Sequence, residues 1–159
     1  MNTAHIAPSL KTLFAELVDG APGNVGYVLN RGDAGLLRSL EKLDGAAASR
    51  PNATGSSIAA HVDHVRYGLS LLNRWARGEN PWADADWTAS WRKTVVSDGE
   101  WKRIFAALHE EARRWVHTLA EPRDVNETEL IGMTGSIAHV AYHLGAIRQM
   151  NPSTAGPKA

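Results

Sequence analysis

The chain has 159 residues, no cysteine and a formal charge of zero from 17 basic and 17 acidic side chains. This length suits one domain able to bury about 70% of its unfolded surface, and the missing cysteine excludes disulfides, thiolate metal sites and a cysteine nucleophile. The balanced charge offers no basic field for nucleic acid and no basic amphipathic stretch for a membrane.

The N-terminal residues Met1 to Pro8 lack the charged and apolar regions of a signal peptide, and no run approaches 18 apolar residues. A cytoplasmic protein without a membrane span is the expectation. A first amphipathic helix is predicted over residues 9–19, with Leu10, Leu13, Phe14, Leu17 and Val18 at helical spacing and Asp19-Gly20 as its end. Residues 21–27 are a loop by composition. Asp33 can cap a short second helix to about Asp44, carrying Leu36, Leu37, Leu40 and Leu43, with Gly45 as its stop. Residues 49–55 are a linker.

Ser56 or Ser57 can cap a long helix to about Arg77. Residues 78–96 read as a loop with one or two helical turns and hold Trp82, Trp87 and Trp91 of the six tryptophans. Ser97-Asp98-Gly99-Glu100 is a capping box for a helix to about Ala120, closed by Pro122. Its inward set is Trp101, Ile104, Phe105, Leu108, Ala112, Trp115 and Leu119. The last helix is predicted from about Thr134 to Met150, ended by Asn151-Pro152, and residues 151–159 are expected as a loose tail. The core thus spans about residues 9–150. Strand signals are weak, so the expectation is all-α: an up-down four-helix bundle with a short extra helix and one long connection.

The chemistry concentrates in two histidine clusters. The 57–77 helix holds His61 and His64, and the last helix holds His139 and His143. His139-x-x-x-His143 places two imidazoles one turn apart on one helical face. At about 100° per residue, Ile58, Val62, Val65, Leu69, Leu72 and Ala76 form the apolar stripe of the first helix. His61, His64, Gly68, Leu71 and Trp75 line one margin of it. In the last helix, Ile137, Val140, Leu144 and Ile147 form the stripe, with His139, His143, Ala146 and Met150 along one margin. Three imidazoles converging there would hold a divalent ion with positions left open. The rotation leaves either His61 or His64 as the third ligand. Asp63 and Arg66 face solvent by the same rotation, and His5, His109 and His117 show no pairing.

These segments resemble the DinB/YfiT-like family of metalloenzymes. The resemblance rests on Ser57-Ile58-Ala59-Ala60-His61-Val62-Asp63-His64 and on Ile137-Ala138-His139-Val140-Ala141-Tyr142-His143-Leu144-Gly145-Ala146-Ile147-Arg148-Gln149, and it extends over about residues 10–150. It implies a four-helix bundle with the metal held by His64, His139 and His143, His61 being extra to the pattern. Leu144 and Ala146 stand where the family more often has Arg and Gln. The resemblance further implies transfer or isomerisation of low-molecular-weight thiols, and for some relatives a homodimer.

The ion expected on this donor set is one divalent transition metal, zinc or nickel foremost, able to activate water or a thiol for a small-molecule substrate. The reading is a metal-dependent transferase or hydrolase; the alternative is a bundle that binds metal or a small molecule without catalysis. The proton-carrying candidates by position are His61, one turn before His64, and Tyr67. Tyr67, Trp75 and Trp91 are candidates to line the substrate pocket. No nucleotide loop, His-Glu-x-x-His or Glu-x-x-His pattern is present on the histidine helices.

Overall fold

The computed structural model describes residues 1–158. They are all-helical, and the only β pairings among them are the isolated bridges Asn2 to Asp124 and Pro51 to Ser57. The α-helices are α1 (Ala7–Asp19), α2 (Gly35–Leu40), α3 (Gly45–Ala48), α4 (Ile58–Ala76), α5 (Asp98–Ala120) and α6 (Glu127–Met150). Short 3₁₀ turns cover Ala89–Arg92 and Pro152–Thr154. α4 packs on α5 and α6, and α1 packs on the same two helices from the other side.

The three longest helices, α4, α5 and α6, each start where a side chain takes up free amides. Ser57 Oγ accepts from the Ala60 amide at the start of α4. Ser97 and Glu100 close the expected capping box on α5. α6 begins seven residues before the predicted Thr134, behind a second box formed by Asn126 and Glu129. Periodicity conceals that first stretch, since Gly132 and Gly135 interrupt it. Gly132 gives room to Trp75 of α4: a methyl there would lie 2.6 Å from its Cζ3, so the indole would have to shift.

The core joins Phe14 and Leu17 of α1, Leu36 and Leu40 of α2, Ile58, Val62 and Val65 of α4, Leu108 and Trp115 of α5, and Val140, Leu144 and Ile147 of α6, all at most 2% exposed. The buried indoles are satisfied: Trp115 Nε1 donates to Ser136 Oγ at 2.8 Å, and Trp101 Nε1 to the Leu43 carbonyl at 2.7 Å. α6 has the length and mean hydropathy, 1.2 over 18 residues, of a membrane-crossing helix. That apolarity differs from the sequence expectation, and here Met133, Val140, Leu144 and Ile147 spend it on the core.

Two connections differ from expectation. Gly45 begins a helix instead of only stopping one: Asp44 Oδ1 accepts from the Ala47 amide, and the Gly45 amide donates to Asp98 Oδ1 at 2.8 Å. The residues after α6 are docked rather than loose as far as Pro157. Thr154 is fully buried, and Asn30 Nδ2 donates to the Pro157 carbonyl at 2.9 Å. That docking lies beside a buried ion pair, in which Arg148 donates two bonds of 2.8 and 2.6 Å to Asp33. The pair fixes the far end of α6 to the start of α2.

Candidate metal centre

α4 and α6 cross with their histidine margins facing. His64, His139 and His143 each offer a ring nitrogen within 4.8 Å of the other two. His139 and His143 come from successive turns of one helix, and their Nε2 atoms are 3.0 Å apart. Two nitrogens bound to a tetrahedral zinc at ~2.0–2.1 Å would be about 3.4 Å apart, so small ring rotations suffice to admit an ion. His139 and Trp87 lie over Gly68 of α4, where a methyl would make ordinary van der Waals contact with His139 Cε1 at 3.5 Å and the Trp87 ring at 3.6 Å.

The four rings are held neutral. Burial, followed by the neighbouring His139, His61 and His64, lowers the His143 pKa to about 3. Burial, with His139 and His61 and against the opposing pull of Asp63, lowers that of His64 to about 4. Burial also lowers His61 and His139. At neutral pH these imidazoles present lone pairs, the form a metal requires. His64 Nδ1 is buried without a hydrogen-bond partner. Such an atom costs about 1–3 kcal/mol, and a third imidazole beside the His139 and His143 pair answers to a cation. The donor set therefore fits a divalent ion that accepts nitrogen.

Aromatic rings roof the cluster. Trp91 lies 4.9 Å from His64 and 5.0 Å from His61, ring centre to ring centre, and Trp87 lies 5.8 Å from His64. The turn bearing Trp91 is tied to α4 by Asp63, whose carboxylate accepts from Ser90 Oγ and from Arg66 Nε, both at 2.8 Å. Asp63 thus faces the tryptophan connection and is half-buried, whereas the rotation placed it toward solvent. Ser90 had no signal in the sequence, because its role depends on where the connection folds back.

The predicted residues separate into two groups. His61, His64, His139, His143 and Trp91 come together. Tyr67 stands one step away: its hydroxyl accepts from the Asp86 amide at 3.0 Å, and its ring lies 5.8 Å from Trp87. Trp75 packs on Trp82 at 5.6 Å and against Gly132, away from the imidazoles. Tyr142, which rotation turns away from the ligand face, is 69% exposed yet stacks edge-on to His143 at 5.0 Å. His5, His109 and His117 are exposed, as their lack of pairing predicts.

A cleft of about 610 Å³ adjoins the cluster, lined by Asn52, Thr54, Ser56, His61, Trp91 and Tyr142 and closed by Ala146, Gln149 and Met150. Of the four imidazoles, His61 is the one that lines it, beside Trp91. Comparison with protein-family models, with curated proteins and with solved structures gives no match for the chain.

Proposed function

We propose that this chain is a metal-dependent enzyme of the DinB/YfiT type, an up-down four-helix bundle that holds one divalent transition ion on His64, His139 and His143. The observation that carries the reading is the convergence of three neutral imidazoles, one with an unpartnered buried nitrogen, between two helices. Nitrogen donors without sulfur or carboxylate favour zinc or nickel over calcium or magnesium. When bound, such an ion makes a water or a thiol acidic enough to serve as a nucleophile near neutral pH and polarises an electrophile.

The chain's own residues supply the rest. The burial of the rings keeps the imidazoles unprotonated. Trp87 and Trp91 limit water above them. The adjoining cleft, lined by hydroxyl, amide and aromatic groups, suits a small molecule of modest charge. A low-molecular-weight thiol as one substrate agrees with an all-nitrogen donor set for an ion that accepts sulfur, under an aromatic cover. The reading is a thiol-linked transferase or a hydrolase.

The test has two parts. Metal analysis of the purified protein should find one zinc or nickel per chain. Turnover should then be measured with panels of thiol and electrophile pairs and of activated esters and amides. Metal-dependent turnover in either panel is the expected result. Stoichiometric metal with no turnover in both panels would leave a binding bundle and reject the enzyme.

A further inference from the structure

His61 lies outside the three-ligand set, yet it is only 7% exposed, and its Nδ1 is 2.8 Å from Nδ1 of His143. The other nitrogen of His143, Nε2, faces His139 Nε2 at 3.0 Å. The two nitrogens of an imidazole diverge, so groups bound to them lie on opposite sides of the ring. An ion shared by His139 and His143 therefore takes Nε2, and His61 stands behind the ring at Nδ1. From there it cannot ligate that ion without displacing His143.

The tautomer follows. A neutral imidazole carries one hydrogen, and the nitrogen facing a cation must be bare. His143 then carries its hydrogen on Nδ1 and donates it to His61 Nδ1, which accepts because His61 carries its own hydrogen on Nε2. We propose that His61 is a positioning residue, whose Nδ1 accepts from Nδ1 of His143 and so aims the bare Nε2 of His143 at the ion. The inference rests on the reading of His64, His139 and His143 as the metal ligands.

The surroundings hold His61 to this task. Its amide closes the first turn of α4 on the Ser57 carbonyl at 3.1 Å, so the helix cap sets its height. Trp91 packs edge-on to its ring at 5.0 Å, and the His143 ring does so at 5.1 Å. Carboxylates and carbonyls commonly fill this supporting position. Here the support is neutral, and the nearby carboxylate of Asp63 is taken by Arg66 and Ser90. Four neutral imidazoles leave the charge of a divalent ion uncompensated, which favours an anionic partner such as a thiolate at the open position.

The test compares full-length wild type with His61→Leu, which removes the acceptor, and His61→Asn, whose amide oxygen can reach the Nδ1 position. Zinc affinity is read by chelator competition, the number of imidazole ligands by X-ray absorption, and the ring tautomers by long-range ¹H–¹⁵N spectra of the zinc-loaded wild type. The expected results are a 10–100-fold weaker affinity in His61→Leu, most of it recovered in His61→Asn, with three imidazoles on the metal in every variant. The spectra should show His143 protonated at Nδ1 and His61 at Nε2. Affinity of His61→Leu within twofold of wild type would overturn the proposal, as would loss of one imidazole from its metal shell, which would make His61 a ligand. Should His61→Leu fail to fold, the wild-type spectra decide, and protonation of His61 at Nδ1 would overturn the proposal. A wild type that binds no zinc would defeat the ligand reading itself, an outcome separate from bound zinc that is indifferent to His61.

Discussion

Asp63 of α4 accepts a 2.8 Å hydrogen bond from Ser90, which ties α4 to the turn that lays Trp91 over His61 and His64. Asp63, next to His64 in the chain, thus helps to hold the cover of the cluster. Asp63→Ala should free the turn while leaving the three ligands in place. We expect a stability loss of about 1–2 kcal/mol for the lost charge-assisted bonds. Backbone amides of residues 88–92 should exchange several-fold faster with solvent. Unchanged exchange there would mean that the turn is held without the Asp63 contact.

Glu16 does comparable work for the loop after α1. It is 1% exposed, and its carboxylate accepts from the amides of Tyr27, Val28 and Leu29 at 2.7 to 3.1 Å. Glu16→Gln keeps the shape but replaces one acceptor oxygen by a donor that faces amide hydrogens. We expect a loss of about 1–3 kcal/mol in urea unfolding. Faster exchange should be confined to residues 24–30.

The Asp33–Arg148 pair makes a prediction about acid. The two side chains are 2% and 16% exposed. Burial pushes the Asp33 carboxyl up, but the Arg148 hydrogen bonds, the Gly35 amide and the Arg148 charge outweigh it and hold the pKa below the usual carboxylate value. A lowered folded pKa means that the unfolded chain binds the proton first. The stabilisation is therefore complete above the unfolded pKa of about 3.9 and is lost as pH falls through the lower folded value. Urea unfolding between pH 6 and pH 2 should show a drop in wild type that is smaller in Asp33→Asn. At neutral pH, Asp33→Ala should cost about 3–5 kcal/mol, because Arg148 is left buried and unpaired.

The histidines predict a second acid-sensitive step at higher pH. All four cluster rings have lowered pKa values, reaching about 4 for His64 and about 3 for His143. The unfolded rings take up protons near pH 6.5. Stability of the metal-free protein should thus fall as pH drops from 7 toward 4. Zinc affinity should fall over the same range, since protons compete for the same lone pairs. A double substitution, His64→Phe with His143→Phe, should flatten the pH dependence of stability above pH 5. A steep dependence retained in that variant would place the acid-sensitive groups elsewhere.

The convergence of the histidine margins was legible because helical rotation places residues of one helix accurately with respect to each other, although it left the choice between His61 and His64 open. His139 and His143 share a face by their spacing, and His61 and His64 share a margin with Gly68. The Ser97 and Glu100 capping box was legible for the same local reason. What rotation cannot supply is the register between helices. That the Nδ1 atoms of His61 and His143 meet at 2.8 Å depends on how far α4 slides along α6, which Trp75 against Gly132 helps to set. The solvent placement of Asp63 failed likewise, because the 78–96 connection folds back onto that flank. The early start of α6 is masked in the sequence by its glycines, which break the periodicity, although the Asn126 and Glu129 capping box marks it. The docking of residues 151–157 involves the buried Thr154, whose partners are the carbonyls of Ile147 and Asn151, and the bond from Asn30 to the Pro157 carbonyl. No composition rule announces that contact.

The central claim is that His64, His139 and His143 together hold one divalent ion. It is tested most directly by metal content and X-ray absorption of the purified protein, wild type and His143→Ala side by side. The account predicts one zinc or nickel per wild-type chain with three nitrogen ligands of imidazole type, and loss of tight binding in His143→Ala while the helical content persists. A wild type that stays metal-free at equimolar zinc, or a His143→Ala variant that retains full occupancy with the same ligand shell, would contradict it.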